Sequence, residues 1–355
     1  MSTITIPVGG CSHVGADMAS GYRGLARHIE DIYKEMPDFP VMIRLGDDSG
    51  QQTEVTEAEG RELVGQTFHR GADVAHRIYA ISGNHDREKA NDNSLAWFRK
   101  WVDPLGENTE FSGINNNLRP YPIDGTAERY KFELTGTNLV FLMMGDMNRP
   151  VTGKRAVGGY GGDPAGVVSQ STFDWWKAQV ESYRNTDKIV ITCHHYLLRD
   201  TTTCTGYYEG GSYSNGVYTQ KFHGPGLHNG KYSGFLAFVD ESEDDTQFID
   251  HLTAHPGDTQ LWLGAHSHCK PGHTTGGKSL AEYRADLGCT FINCASLTKT
   301  HGPDEHLYPR CRLLKFTHGS SIVSVDNYYH TNKDPYERGF SRGRDWDIGK
   351  PFLNA

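Results

Sequence analysis

The stretch Arg77-Ile78-Tyr79-Ala80-Ile81-Ser82-Gly83-Asn84-His85-Asp86 decides the fold. Its first half is a short run of apolar and aromatic side chains, which is typical of a strand. Its second half is a glycine followed by an amide, an imidazole and a carboxylate. In α/β folds ligands bind beyond the carboxyl ends of the strands, so this order predicts a site at the edge of a sheet. The alternative is an Asx-type turn with an incidental histidine.

Four more predicted strand ends carry metal-ligand side chains. Each follows a short apolar run, and the clusters are Cys11-Ser12-His13, Gly46-Asp47-Asp48, Cys193-His194-His195 and His266-Ser267-His268. Imidazoles and carboxylates that converge from several strand ends are what a two-metal hydrolytic site requires. The sequence therefore predicts a dinuclear metal centre.

The spacing inside each cluster indicates which side chains share a side of the chain. In extended backbone His266 and His268 point the same way, and a carboxylate such as Asp47 can bridge two cations. His194 and His195 then point to opposite sides, so only one of them can ligate, and we predict His194. For His195 three roles stay open: packing, substrate contact, or support of a ligand.

Cys11 stands where an oxygen ligand would be expected. The alternative for a single cysteine is a buried small apolar residue. As a thiolate ligand it would favour iron or zinc, with manganese as the remaining possibility, over Mg²⁺ or Ca²⁺. A metal-bound thiol is deprotonated, so it supplies the same negative charge as a carboxylate.

Strands that alternate with helices in the first half predict an α/β fold with a mixed sheet. The predicted strands are Thr3–Val8, Val41–Leu45, Arg77–Ile81, Leu139–Met144, Lys188–Thr192, Gln260–Leu263, Cys289–Cys294, Arg310–Thr317 and Ile322–Tyr328. We expect a single domain over residues 1–330, with loop insertions near 150–166 and 198–234. Residues 331–355 are expected to form a C-terminal tail packed on that domain.

Composition narrows the class of protein. A net charge of −9 over 355 residues argues against a binder of nucleic-acid polymers, which usually carries a basic stripe. The longest apolar runs are too short to cross a bilayer. Seven cysteines without a Cys-x-x-Cys spacing, and an N-terminus without the features of a signal peptide, predict reduced thiols and a cytoplasmic location.

Between residues 11 and 268 the order of these motifs resembles that of the calcineurin-like metallophosphoesterases, which include purple acid phosphatases and class III phosphodiesterases. Their signature is Asp-x-His, Gly-Asp-x-x-Asp, Gly-Asn-His-Asp/Glu, a histidine after a strand, and Gly-His-x-His. The resemblance implies a four-layer sandwich of two mixed β-sheets flanked by helices. It also implies a dinuclear metal site at the carboxyl ends of the strands.

The resemblance implies a role for each matching residue. One metal would be held by Cys11, His13, Asp47 and His268, and the other by Asp47, Asn84, His194 and His266. His85 would be the general acid. Three departures stand out. Cys11 replaces the first aspartate. Ala265 stands where Gly-His-x-His has its first histidine if the motif is aligned on Gly264, whereas alignment on the ligands gives His266-Ser267-His268 with a shift of one residue. Gly50 replaces the second aspartate of Gly-Asp-x-x-Asp. The orientation of His85 then falls to Asp48, Asp86 or another group.

The predicted function is hydrolysis of a small phosphate ester by a metal-bridging hydroxide, with a phosphodiester favoured over a monoester. Asp47, Asn84 and His85 are the predicted catalytic residues. Asn84, Arg87 and His195 are the candidates for substrate contact. Two alternatives stay open: a binding or scaffold protein that keeps the fold, and a metal-dependent hydrolase of a non-phosphate bond. The oligomeric state is not predicted.

Overall fold

The computed structural model describes most of the chain, including every candidate site residue. The described residues are 2–15, 23–50, 55–87, 95–146, 166–206, 212–214, 217–219, 235–239, 246–274, 277–294, 296–298 and 308–354.

Within these residues the chain forms seventeen strands, seven α-helices and a short 3-10 helix, Asn116–Leu118. The strands are β1 Thr3–Gly9, β2 Met42–Arg44, β3 Ile78–Ala80, β4 Asp124–Gly125, β5 Arg129–Glu133, β6 Leu139–Met144, β7 Gly166–Val168, β8 Ile189–Cys193, β9 Ser212–Ser214, β10 Val217–Thr219, β11 Leu236–Val239, β12 Leu261–Gly264, β13 Ala281–Arg284, β14 Cys289–Asn293, β15 Arg310–Thr317, β16 Ile322–Tyr329 and β17 Gly339–Asp347. The helices are α1 Gly24–Glu35, α2 Glu57–Thr67, α3 Ala72–Ala75, α4 Ala96–Trp101, α5 Thr109–Ser112, α6 Gln170–Tyr183 and α7 Gln247–Ala254.

Two mixed sheets make up the centre of the molecule. The six-stranded sheet has the order β17-β16-β15-β1-β2-β3, and the seven-stranded sheet has the order β13-β14-β12-β8-β6-β5-β4. The strands β1, β2 and β3 run parallel in the first sheet, as do β6, β8, β12 and β14 in the second. The remaining pairs in each sheet are antiparallel.

The largest apolar cluster lies between the two sheets and joins residues of both, such as Ile6 and Ile43 from one and Phe141 and Ile191 from the other. A second cluster packs Leu25, Ile29 and Ile32 of α1 against the outer face of the six-stranded sheet. A third packs α6 and α7 against the outer face of the seven-stranded sheet. The molecule is therefore a four-layer sandwich, helix–sheet–sheet–helix, which confirms the predicted fold class.

The C-terminal segment contributes a strand as well as surface. β17 pairs antiparallel with β16 along an edge of the six-stranded sheet, and Phe352 is buried in the cluster between the sheets. Of the two predicted insertions, residues 150–165 and most of 207–234 lie outside the described residues, whereas 198–206 are described. None of the described helices is long and apolar enough to cross a membrane.

Candidate metal centre

Backbone hydrogen bonds continue past the strand ends and fix the loops that carry the candidate ligands. Beyond β1 and β2, the Cys11 N–H donates to the Gly46 carbonyl over 2.8 Å, and the His13 N–H donates to the Asp47 carbonyl over 3.0 Å. In the other sheet, the Ala265 N–H donates to the His195 carbonyl over 2.8 Å. Each loop is thus held by the same ladder that orders its strand.

Two glycines let the Asp47 loop and the Asn84 loop touch. Gly46 has a φ of +83°, and a Cβ placed on it would lie 2.4 Å from the Gly83 nitrogen. A Cβ on Gly83 would in turn lie 2.3 Å from the Asp47 Oδ1 atom. Any side chain at either position would push the loops apart, so both motifs need their glycine to bring Asp47 and Asn84 together.

The residues of the first ligand group that the resemblance implies lie close together in the structure. Ligand atoms of Cys11, His13, Asp47 and His268 all lie within 4.8 Å of one another, and all four residues are buried. The Nε2 atoms of His13 and His268 are 3.0 Å apart. One sulfur, two nitrogens and one carboxylate oxygen therefore converge on one point, which is the number and type of donor that a Zn²⁺ or iron site uses.

A second group shares Asp47 with the first. Ligand atoms of Asp47, His195 and His266 lie within 4.8 Å of one another. The His195 Nε2 atom is 3.1 Å from the Asp47 Oδ2 atom and 3.3 Å from the His266 Nδ1 atom. The Asn84 Oδ1 atom lies 3.1 Å from the same His266 nitrogen. The arrangement places Asp47 between two donor groups, as a carboxylate that bridges two metals must be.

The structure places the two neighbouring histidines the other way round from the prediction. His195, not His194, faces Asp47 and His266, while the His194 Nδ1 atom lies 3.0 Å from the Tyr196 nitrogen and 3.2 Å from its carbonyl. The reason is the alternation along β8. Ile189, Ile191 and Cys193 point between the sheets, whereas Val190 points to the outer helices, so His195 continues the inner face.

His195 is held in the orientation that a metal ligand needs. Its Nδ1 atom lies 2.6 Å from the Leu45 carbonyl oxygen, so Nδ1 carries the proton and donates it. When the ring is neutral, as in a metal ligand, the lone pair is on Nε2, which faces Asp47. Metal-binding histidines usually donate their other N–H in this way, and the bond also ties the end of β8 to the end of β2.

The backbone at the candidate ligands adopts a conformation that side chains disfavour. Eight described non-glycine residues have a positive φ, and five of them are candidate ligands: Cys11 at 55°, His13 at 44°, Asp47 at 56°, His266 at 52° and His268 at 46°. A positive φ at a non-glycine residue destabilises the fold by on the order of 1–3 kcal/mol, and such residues are concentrated at functional sites. The folded chain pays this cost at the residues that would hold metal.

The electrostatics of the cluster fit a cation. Burial and the nearby Asp47 carboxylate raise the pKa of the Cys11 thiol well above its ordinary value. Burial opposes ionisation of Asp47 too, but the rings of His195, His85 and His13 outweigh it and hold the pKa of Asp47 well below its usual range. Burial disfavours charge on His195, yet the same carboxylate raises the pKa of His195 to about 9. The ionised Asp47 carboxylate therefore favours positive charge beside it. A metal ion would supply that charge and would also lower the pKa of the Cys11 thiol.

His85 lies at the outer side of the cluster. It is 8% exposed, against 1% for Asp47, and its ring packs edge-on against His13 with centroids 4.7 Å apart. Its backbone N–H donates to the Asp47 Oδ1 atom over 2.9 Å. The ring is therefore fixed beside the ligands but reaches the surface of the site.

The two carboxylates considered for orienting His85 are engaged elsewhere. Asp48 accepts hydrogen bonds from Arg44 over 2.6 Å and from Ser12 over 3.0 Å. Asp86 accepts from three backbone N–H groups, those of Asp48, Ser49 and Gly83, over 2.7–2.8 Å. Both aspartates therefore fasten the ligand loops to each other.

Asp146 is a buried carboxylate beside the site that the sequence analysis did not single out. It is fully buried two residues after the end of β6, and its Oδ1 atom lies 3.8 Å from the His194 Nε2 atom and accepts from the Val167 N–H. Its carbonyl accepts from the Arg87 Nε atom over 2.7 Å, so Arg87 is buried against this loop. The signal was present: Met144-Gly145-Asp146 repeats the apolar-Gly-Asp order of Leu45-Gly46-Asp47.

Comparison with solved structures bears on the fold. A dimetal phosphatase from Danio rerio matches 98% of this chain and 99% of its own, with 11% identity and a TM-score of 0.51. GAP50, the anchor in the inner membrane complex of Plasmodium, matches 97% of this chain and 90% of its own at 8% identity and a TM-score of 0.47. The purple acid phosphatase PPD1 from yellow lupin seeds matches 98% of this chain and 55% of its own at 13% identity and a TM-score of 0.47.

No family model matches the sequence, and no curated protein matches it. The resemblance drawn from the motifs is confirmed at the level of the fold, which is that of the Danio rerio dimetal phosphatase.

Proposed function

We propose that this chain is a dinuclear metal-dependent hydrolase of small phosphate esters, with phosphodiesters favoured over monoesters. The observation that carries the proposal is the pair of buried donor groups that share Asp47. Because five of their residues lie in a strained backbone conformation, packing alone is a poor explanation for the arrangement.

Cys11, His13, Asp47 and His268 would hold one cation, and Asp47, Asn84, His195 and His266 the other. A thiolate at Cys11 favours iron or zinc at the first position. Metal ions bound there would supply Lewis-acid activation of the phosphoryl group and of water. The contact between the Asp47 loop and the Asn84 loop through Gly46 and Gly83 would keep Asn84 beside the shared carboxylate.

The chain's own residues would then act on the ester. The Asn84 side chain, at the edge of the second donor group, offers an amide N–H to a phosphoryl oxygen while its carbonyl oxygen faces the metal position. His85 protonates the leaving oxygen as the bond from phosphorus to that oxygen breaks. The Arg87 Nε atom donates to the Asp146 carbonyl, so Arg87 would hold that loop beside the site.

Two matched variants test the role of His85. His85→Ala should keep the metal content of the native protein and lose about 100-fold or more in turnover of diesters with poor leaving groups. Esters with good leaving groups need no proton and should be affected much less. The control is His251→Ala, which removes a histidine of equal exposure from α7, away from the candidate ligands. Equal turnover by His85→Ala and His251→Ala on the poor substrates would remove the acid role.

A panel of phosphomonoesters, phosphodiesters and non-phosphate esters, run with elemental analysis of the purified protein, tests the reaction class. We expect turnover of phosphate esters, with higher kcat/KM for diesters. Failure to hydrolyse any ester by a protein with both metal positions filled would contradict the enzyme proposal and favour a scaffold role. Turnover of non-phosphate esters alone would show that the same centre hydrolyses a different class of bond.

A further inference from the structure

Another buried group of metal-ligand side chains lies between α1 and the six-stranded sheet. Its members are His28 on α1, Cys311 on β15 and His330, which directly follows β16. One ligand atom from each lies within 4.8 Å of the other two, and all three residues are 0% exposed. The group shares no residue with the dinuclear centre.

The two imidazoles approach each other as the candidate ligands of the dinuclear centre do. The His28 Nδ1 atom is 3.1 Å from the His330 Nε2 atom. The corresponding distances are 3.0 Å between His13 and His268 and 3.3 Å between His195 and His266. Two nitrogens bound to one tetrahedral zinc at about 2.0–2.1 Å are roughly 3.3–3.4 Å apart. The separation therefore leaves room for one cation with little movement.

A carboxylate fixes the tautomer of His330. The His330 Nδ1 atom lies 2.8 Å from the Asp31 Oδ2 atom, so Nδ1 carries the proton and Nε2 presents its lone pair towards His28. Asp31 is held in turn by the Arg338 guanidinium, whose Nε atom donates to it over 3.1 Å. Metal-binding histidines typically donate their outer N–H to a carboxylate in this way.

A hydrogen bond between the two rings does not account for the third member of the group. In that case the His28 Nδ1–H donates to the His330 Nε2 atom, and nothing in the pair requires a cysteine at position 311. The His28 Nε2 atom is buried without a hydrogen-bond partner among the described residues whether Nδ1 donates to His330 or binds a metal, so it does not distinguish the two interpretations.

We propose that His28, Cys311 and His330 bind a third metal ion, a thiophilic cation of the class Zn²⁺ or Cu⁺. One thiolate and two imidazoles form a donor set that both cations favour and that Mg²⁺ and Ca²⁺ do not. The ion links α1 to β15 and to the chain after β16, so it stabilises the outer helical layer. It takes no part in the reaction at the dinuclear centre.

Elemental analysis of the full chain tests the proposal. The native protein should hold one metal ion more than the dinuclear centre accounts for, and Cys311→Ala should lose one ion and keep the others. The control is Cys289→Ala, which removes another fully buried strand cysteine and should lose none. Zinc or copper as the extra ion supports the proposal. Equal metal content in the native protein and Cys311→Ala overturns it.

A variant with an impaired dinuclear centre separates this inference from the proposed function. The double variant Cys11→Ala/Asp47→Ala lacks the only thiol of that centre and the carboxylate that its two positions share. Co²⁺ added to this variant should still give a thiolate-to-cobalt absorption band, from Cys311. His330→Gln in the same background should abolish the band, whether or not Cys311→Ala folds. Absence of the band in the double variant would overturn the third site, even if the dinuclear centre of the native protein is active.

Discussion

Alanine at one of two adjacent histidines should weaken metal binding, whereas alanine at the other should leave it unchanged. His194 and His195 are both fully buried, but only His195 faces Asp47 and His266. Loss of a group that merely supports a ligand costs about 10–100-fold in metal affinity. His195→Ala removes a ligand and also leaves the Leu45 carbonyl without its donor, so we expect a loss beyond 100-fold at the second metal position. That factor corresponds to about 2.7 kcal/mol or more.

His194→Ala serves as the matched control. It removes a ring that packs on the outer face and contacts the Tyr196 backbone, so it should lower the free energy of unfolding by roughly 2–4 kcal/mol and leave metal affinity unchanged. Competition with a chromogenic chelator gives the affinity, and urea denaturation gives the stability. A His194→Ala protein that loses a metal, beside a His195→Ala protein that retains both, would refute the assignment of the inner face.

Three further predictions concern the ligand loops and a distant ion pair. Cys11→Asp should shift the metal that gives highest activity from zinc or iron towards Mn²⁺ or Mg²⁺, and an unchanged metal preference would show that the thiol is not a ligand. Both carboxylate oxygens of Asp86 accept backbone N–H groups, so Asp86→Asn sets an NH₂ group against one of these donors. The free energy of unfolding in urea should fall by roughly 1–3 kcal/mol. The control Asp174→Asn, at an exposed position, should change it little. Burial raises the pKa of Asp258, but Arg184 and His251 outweigh it and hold that pKa below its ordinary value. The stability lost in Asp258→Asn should therefore be full above about pH 4 and shrink as the pH falls through the folded-state pKa, whereas a difference that does not shrink at all below pH 4 would contradict it.

Most of the architecture was predictable because short apolar runs that end in glycine are strong strand signals. All nine predicted strands occur, and Leu139–Met144 occurs with the same bounds. Among the strands that were missed, β7, β9, β10 and β11 form two separate two-stranded sheets, and β5 lies inside the seven-stranded sheet. The other three, β4, β13 and β17, are edge strands, in which polar residues obscure the apolar pattern. β17 is one of these: most of its residues face solvent, so the segment resembles a surface tail in sequence.

The part of the site that sequence could not predict depends on which face of a strand points inward. Every residue of β8 is buried, so its apolar pattern does not distinguish the inner face from the outer one. That choice is made by the pairing of β8 with β6 and β12, and it decides between His194 and His195. The chain beyond β1 instead turns through positive φ at Cys11 and His13, so strict alternation no longer applies there.

Metal reconstitution of phosphodiester hydrolysis tests the central claim most directly. The native protein is stripped with a chelator and titrated with Zn²⁺ or Fe²⁺, and turnover is followed against bound metal, with Asp47→Asn beside it. We predict that activity is absent in the stripped protein, returns only as both positions that share Asp47 fill, and stays absent in Asp47→Asn. Full turnover by the stripped protein, or by Asp47→Asn, would contradict a reaction carried out at this centre.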